Sequence, residues 1–133
     1  MIRPVESKNP IRSQISSVIL WSRNLDKSAE QYSRLFNLSR EQQERFGHLH
    51  ILHLPNGTDV MIDSNGMDNV PIPDKAPPLC FVPADDIDEA AALIENLGFQ
   101  IIYGGIIRNE FVSFFNMRDD DFNVITVCQN HKR

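Results

Sequence analysis

Val18-Ile19-Leu20-Trp21 followed by Asn24-Leu25-Asp26-Lys27-Ser28-Ala29 is answered later in the chain by Leu79-Cys80-Phe81-Val82 followed by Asp86-Ile87-Asp88-Glu89-Ala90-Ala91. In both copies an apolar, strand-like run gives way to a helix-capping Asn or Asp and then to an amphipathic segment. A Gly- or Asn-bearing break and two further apolar runs complete each copy. Those runs flank a polar turn, Pro55-Asn56-Gly57-Thr58-Asp59 in the first and Arg118-Asp119-Asp120-Asp121-Phe122-Asn123 in the second. A repeat at this length decides the architecture. It predicts one α+β domain of two βαβββ modules, with function in the cleft they share.

Working outward, the apolar positions Leu25, Ala29, Tyr32, Leu35 and Phe36 predict a helix from the Asn24 cap to about Phe36. Residues 37–45 are polar and ambiguous, with an exposed edge strand as one reading. Gly47 to Leu54 and Thr58 to Asp63 read as a hairpin. The first module spans about 14–64. Residues 65–77, with three prolines and no period, read as a linker that Pro78 carries into the second module, about 78–130. There Asp86 and Glu89 resemble a capping box for a helix Ile87 to Leu97 that Gly98 stops. Gly104-Gly105 predicts a bulge or bend within the strand Phe99 to Ile107, and Phe111 to Met117 with Val124 to Cys128 closes the module. Residues 1–13 have no periodicity and are expected to form a mobile arm.

The composition narrows function. At 133 residues the chain fits one domain, and a formal charge of −5 disfavours nucleic acid, which needs clustered Lys and Arg. Cys80 and Cys128 lie within apolar runs and read as buried reduced thiols, so a cytoplasmic location is the default expectation. No run approaches the roughly 18 apolar residues of a membrane span, and no export signal is visible.

With the repeat, the Asn24-Leu25-Asp26-Lys27-Ser28 and Asp85-Asp86-Ile87-Asp88-Glu89-Ala90 signatures and the turn Asp119 to Ile125, residues 15–129 resemble the vicinal oxygen chelate superfamily. These are the glyoxalase, bleomycin-resistance and extradiol-dioxygenase proteins. The terminal turn looks like the family's Asp-Pro-Asp-Gly-Asn-x-Ile with Asp120 and Phe122 in place of Pro and Gly. The resemblance implies curved mixed sheets around a cavity, helices on the convex side, a small-molecule ligand and frequent homodimers. Metal-using members hold a divalent ion on His, Glu or Gln from the first and fourth strands of each module. Matched residue by residue, those positions fall on Ser17, Pro78 and Thr126, with Met61 or Ile62, near Asp63, for the remaining one. Ser, Pro and Thr do not supply the converging charged or imidazole donors that a tight site needs, so neither metal nor other cofactor is expected.

The family's ligand position also sets the phase of the first strand. Ser17, Ile19 and Trp21 are expected to face the cavity and Val18 and Leu20 the helix, so that Trp21 stacks on a flat ligand. Met61, Phe111, Phe114, Phe115 and Tyr103 are further candidates for an apolar wall. His48 and His50 share a strand face by alternation and are expected on the cavity side, His50 lining it with Met61, Asp63 and Thr126; with Asp63 they form the alternative site, metal or general base, of a lyase, isomerase or dioxygenase. Arg108-Asn109-Glu110 offers a gating turn. The triplet Asp119-Asp120-Asp121 fits capping and solvation better than a calcium cage.

Overall fold

The computed structural model describes residues 9–131. The first eight residues of the expected arm lie outside that range, and residues 9–16 adopt no helix or strand. In the first module β1 (Ser17–Trp21) is followed by α1 (Leu25–Leu35), β2 (Gln43–Phe46), β3 (Leu49–His53) and β4 (Asp59–Asp63). The second repeats this with β5 (Cys80–Pro83), α2 (Ile87–Asn96), β6 (Gln100–Arg108), β7 (Val112–Arg118) and β8 (Val124–Asn130). The ambiguous segment after α1 resolves into a 3-10 turn, Arg40–Gln42, and the edge strand β2.

The sheets have the same topology, β1-β4-β3-β2 and β5-β8-β7-β6. In each, the first strand pairs parallel with the last and the others pair antiparallel. A parallel pair needs a crossover connection, which α1 and α2 begin by covering one face of their sheet. The caps read from sequence are in place: Asn24 Oδ1 accepts the Lys27 N–H, and Asp86 Oδ1 accepts those of Asp88 and Glu89. Gly98 ends α2 with φ +95°, where an added Cβ would lie 3.0 Å from Gln31 Nε2. Tyr103, Gly104 and Gly105 are all left-handed, and the register of β6 against β7 slips between Ile102 and Ile107, which is the predicted bulge.

Strand alternation gives each sheet a helix side and an open side. Leu20, Leu52, Val60 and Ile62 from sheet one join Ile87, Ile94, Phe115, Met117, Ile125 and Val127 from the second module in a single buried cluster. Each such side chain is worth about 1.5–3 kcal/mol when fully buried. Because both helix sides feed one core, the open sides stay uncovered: Ile19 is 49%, Trp21 44% and Phe81 70% exposed. The expected cavity is therefore not closed within one chain. Among the described residues no helix is long and apolar enough to cross a membrane.

Candidate functional site

The open side of sheet one is built around β1 and β4. Their parallel register pairs Ser17 with Asp59, Ile19 with Met61 and Trp21 with Asp63, so each pair projects from the same face. Leu20 between them is buried beneath α1, and the indole of Trp21 stands on the open side. The second module fixes it there. Asn123 in the turn before β8 accepts the Trp21 N–H at 3.2 Å and donates to the Trp21 carbonyl at 2.7 Å, as a neighbouring strand would.

Further along this face, His53 Nδ1 lies 2.7 Å from Asp59 Oδ1 and its Nε2 3.4 Å from Glu44 Oε2. Hydrogen bonds to Asp59 and then Glu44 raise the His53 pKa above its ordinary 6.5. This cross-strand cluster was missed in the sequence. His53 is visible as a third histidine, but its partners come from β2 and β4 and depend on register.

On sheet two the open side carries Phe81, Val112, Phe114 and Cys128 around a depression of about 380 Å³. Thr126 belongs to the same side; it is almost fully buried and donates to Asn116 Oδ1 at 2.6 Å. Phe115 falls on the helix side and is fully buried, so it is core rather than cavity wall. Phe111 is exposed at the turn after β6. Tyr103 binds the linker instead, donating to the Ala76 carbonyl and accepting from its N–H.

The structure corrects the placement of His50. Expected on the cavity side with His48, it lies on the helix side of β3 opposite Ile62, because the open-side positions of that strand are Leu49, Ile51 and His53. Its Nδ1 accepts from Arg45 Nε at 2.9 Å, which leaves Nε2–H to donate to Gln43 Oε1 at 2.9 Å. Burial first, and the Arg45 charge second, lower its pKa. His48 is exposed in the turn before the strand. Asp63 projects from the opposite face to His50, so the alternative trio of His48, His50 and Asp63 does not converge.

The family's metal positions fare no better as a donor set. Ser17 and Thr126 offer neutral hydroxyls, Thr126 is already committed to Asn116, Met61 is a thioether, and Pro78 has no donor. Ser17 and Asp63 are four register steps apart on β1 and β4, roughly 13 Å at about 3.3 Å per residue. No group of three His, Cys, Asp or Glu among the described residues is arranged to hold an ion. The residues do not fit the metal centre that the fold would imply.

The remaining sequence candidates are structural. Asp119 accepts from Tyr32, from the Asn123 side chain and from the backbone of Asp121 and Asn123. Asp120 pairs with Lys27 and Asp121 with Arg23. With every carboxylate engaged, the triplet is the joint between modules, not a calcium cage. Arg108 pairs with Asp88, and Asn109 Oδ1 takes the N–H groups of Phe111 and Val112, which makes that turn a cap.

No protein-family model matches the chain, and no curated protein sequence does. Solved structures do. The fosfomycin resistance protein FosX of Listeria monocytogenes superposes with a TM-score of 0.69 at 14% identity, over 92% of this chain and 97% of that one. Lactoylglutathione lyase of Agrobacterium tumefaciens gives 0.62 at 21% identity, over 90% and 95%. A glyoxalase/bleomycin resistance protein/dioxygenase of Alicyclobacillus acidocaldarius gives 0.64 at 13% identity, over 94% and 96%. With its paired βαβββ modules and two open mixed sheets, this chain has the fold of the vicinal oxygen chelate superfamily.

Proposed function

We propose that this protein binds a small organic molecule against its open sheet faces, without a divalent metal at the positions that metal-using members of the fold employ, and that a second copy of the chain completes the cavity. The observation that carries this reading is the half-exposed indole of Trp21, held on an open, largely apolar sheet face by Asn123 rather than packed under α1. An aromatic ring in that setting offers a stacking surface for a flat ligand. Exposed apolar groups on both open faces, Ile19 and Phe46 on one and Phe81 on the other, support a homodimer, since a large uncovered apolar surface marks an interaction site. The enzyme reading built on His48, His50 and Asp63 loses its support because those groups lie apart. Unpaired Cys80 and Cys128 suit a reducing compartment such as the cytoplasm.

The test is a screen of flat organic compounds followed by Trp21 emission. Saturable quenching or a spectral shift that Trp21→Phe abolishes, with the thermal transition of the variant retained, is the expected result. A collection of planar compounds that leaves the emission unchanged at millimolar concentration overturns the proposal.

A further inference from the structure

The charges on the open side of sheet one are unevenly satisfied, and the imbalance specifies a ligand class. Arg45 is the only Lys or Arg in the four strands, and it points to the helix side, where it bonds to His50 and Asp26. Three carboxylates, Glu44, Asp59 and Asp63, share the open side. Glu44 and Asp59 hold His53 between them. Asp63 has no cationic partner among the described residues; its Oδ1 accepts the Asn65 backbone N–H. Arg23, two residues beyond Trp21, is committed to Asp121 and to the Val70 carbonyl.

Asp63 is also the register partner of Trp21, on the same face. Neighbouring strands lie about 4.7–4.9 Å apart, so register partners on one face stand side by side. A half-buried carboxylate without a counter-ion therefore lies beside a half-exposed indole. The two groups attract the same chemistry: the carboxylate by Coulomb force and charge-assisted hydrogen bonding, the indole by its negative π-face.

Resting on the small-molecule reading above, we infer that the ligand seated at Trp21 and Asp63 is an organic cation, an apolar or aromatic body carrying an ammonium group. An anionic ligand meets the unpaired Asp63, and a neutral one leaves that carboxylate without compensation.

Trp21 is the only tryptophan, so a ¹⁵N-labelled sample gives one indole N–H resonance through which binding is read. Phenethylammonium, phenethyl alcohol and 3-phenylpropanoate, which share an aromatic body and differ in charge, are titrated in turn at low salt. The expected order is ammonium first, by about five- to tenfold over the alcohol, with the carboxylate weakest. Asp63→Asn, which keeps an acceptor for Asn65, removes the preference without removing alcohol binding. If the alcohol binds within about twofold of the ammonium, or the preference survives Asp63→Asn, the inference fails and the small-molecule reading stands. If no probe moves the indole signal, both fail. A signal that shifts with protein concentration and responds to no probe assigns the face to a second copy and overturns the cation site.

Discussion

Tyr32 on α1 donates its phenolic hydrogen bond to Asp119 Oδ2 at 2.7 Å, both groups buried, across the boundary between the two modules. The Tyr32 ring also lies 5.2 Å from that of Phe99, just before β6. One side chain thus ties the first helix to the second sheet by a polar and an aromatic contact. Because the Asp119 turn also carries Asn123, which holds Trp21, the joint between modules positions the open face as well.

Tyr32→Phe retains the ring contact and removes the hydrogen bond. Asp119 keeps its Asn123 and backbone donors, so the expected loss is about 1.5–3 kcal/mol, the range for a hydrogen bond to a charged group. Urea denaturation should show a lower midpoint with an unchanged slope. In the parent protein, burial and Asp119 raise the Tyr32 pKa well above 10.0. The stability carried by its proton is full below pH 10 and falls as pH rises beyond it, a fall that Tyr32→Phe should lack.

His50 and His53 are predicted to act oppositely on the pH dependence of stability. The folded pKa of His50 is lowered from 6.5, so the unfolded chain takes up its proton first. Its contribution declines as pH falls below 6.5 and levels off beneath the folded value. The folded pKa of His53 is raised, so its contribution is full below 6.5 and disappears as pH rises through the folded value. Denaturation midpoints between pH 5 and 8 should rise less steeply with pH in His50→Gln and more steeply in His53→Gln. Parallel changes in the two variants would contradict the assigned environments.

Elemental analysis of protein purified without chelator is expected to find no stoichiometric Zn²⁺, Mn²⁺, Fe²⁺ or Mg²⁺ at Ser17 and Thr126. Thr126 stays bonded to Asn116, and Met61 and Pro78 add no ionised donor. A stoichiometric ion whose binding Thr126→Val abolishes would contradict this account.

Light scattering at micromolar concentration is expected to give the mass of a dimer. Phe81→Glu places a charge on the exposed apolar side of sheet two, away from the core, and should shift the population toward monomer while the thermal transition of the isolated chain persists. A monomeric parent protein at that concentration ends the homodimer proposal.

The repeat, the caps at Asn24 and Asp86, the stop at Gly98 and the bulge at Gly104-Gly105 were determined by sequence alone, because each rests on local backbone chemistry or on a period within one element. The phase of β1 came instead from the resemblance, which puts the family's ligand position at Ser17; alternation then turns Ile19 and Trp21 to that side and Leu20 to the helix, as the burial of Leu20 bears out. What the sequence left undecided depends on pairing. His50 takes the helix side because β3 sets Leu49 against Asp63 and His50 against Ile62, and a one-residue choice of register exchanges the two faces of a strand. His53 acquires its two carboxylates from neighbouring strands, and Asp63 its place beside Trp21 from the parallel ladder. Only the tertiary structure directed both helix sides into one core and left both sheet faces open. That outcome is set by long-range contacts, those of Tyr32 with Asp119 and Phe99 among them, which no local pattern encodes.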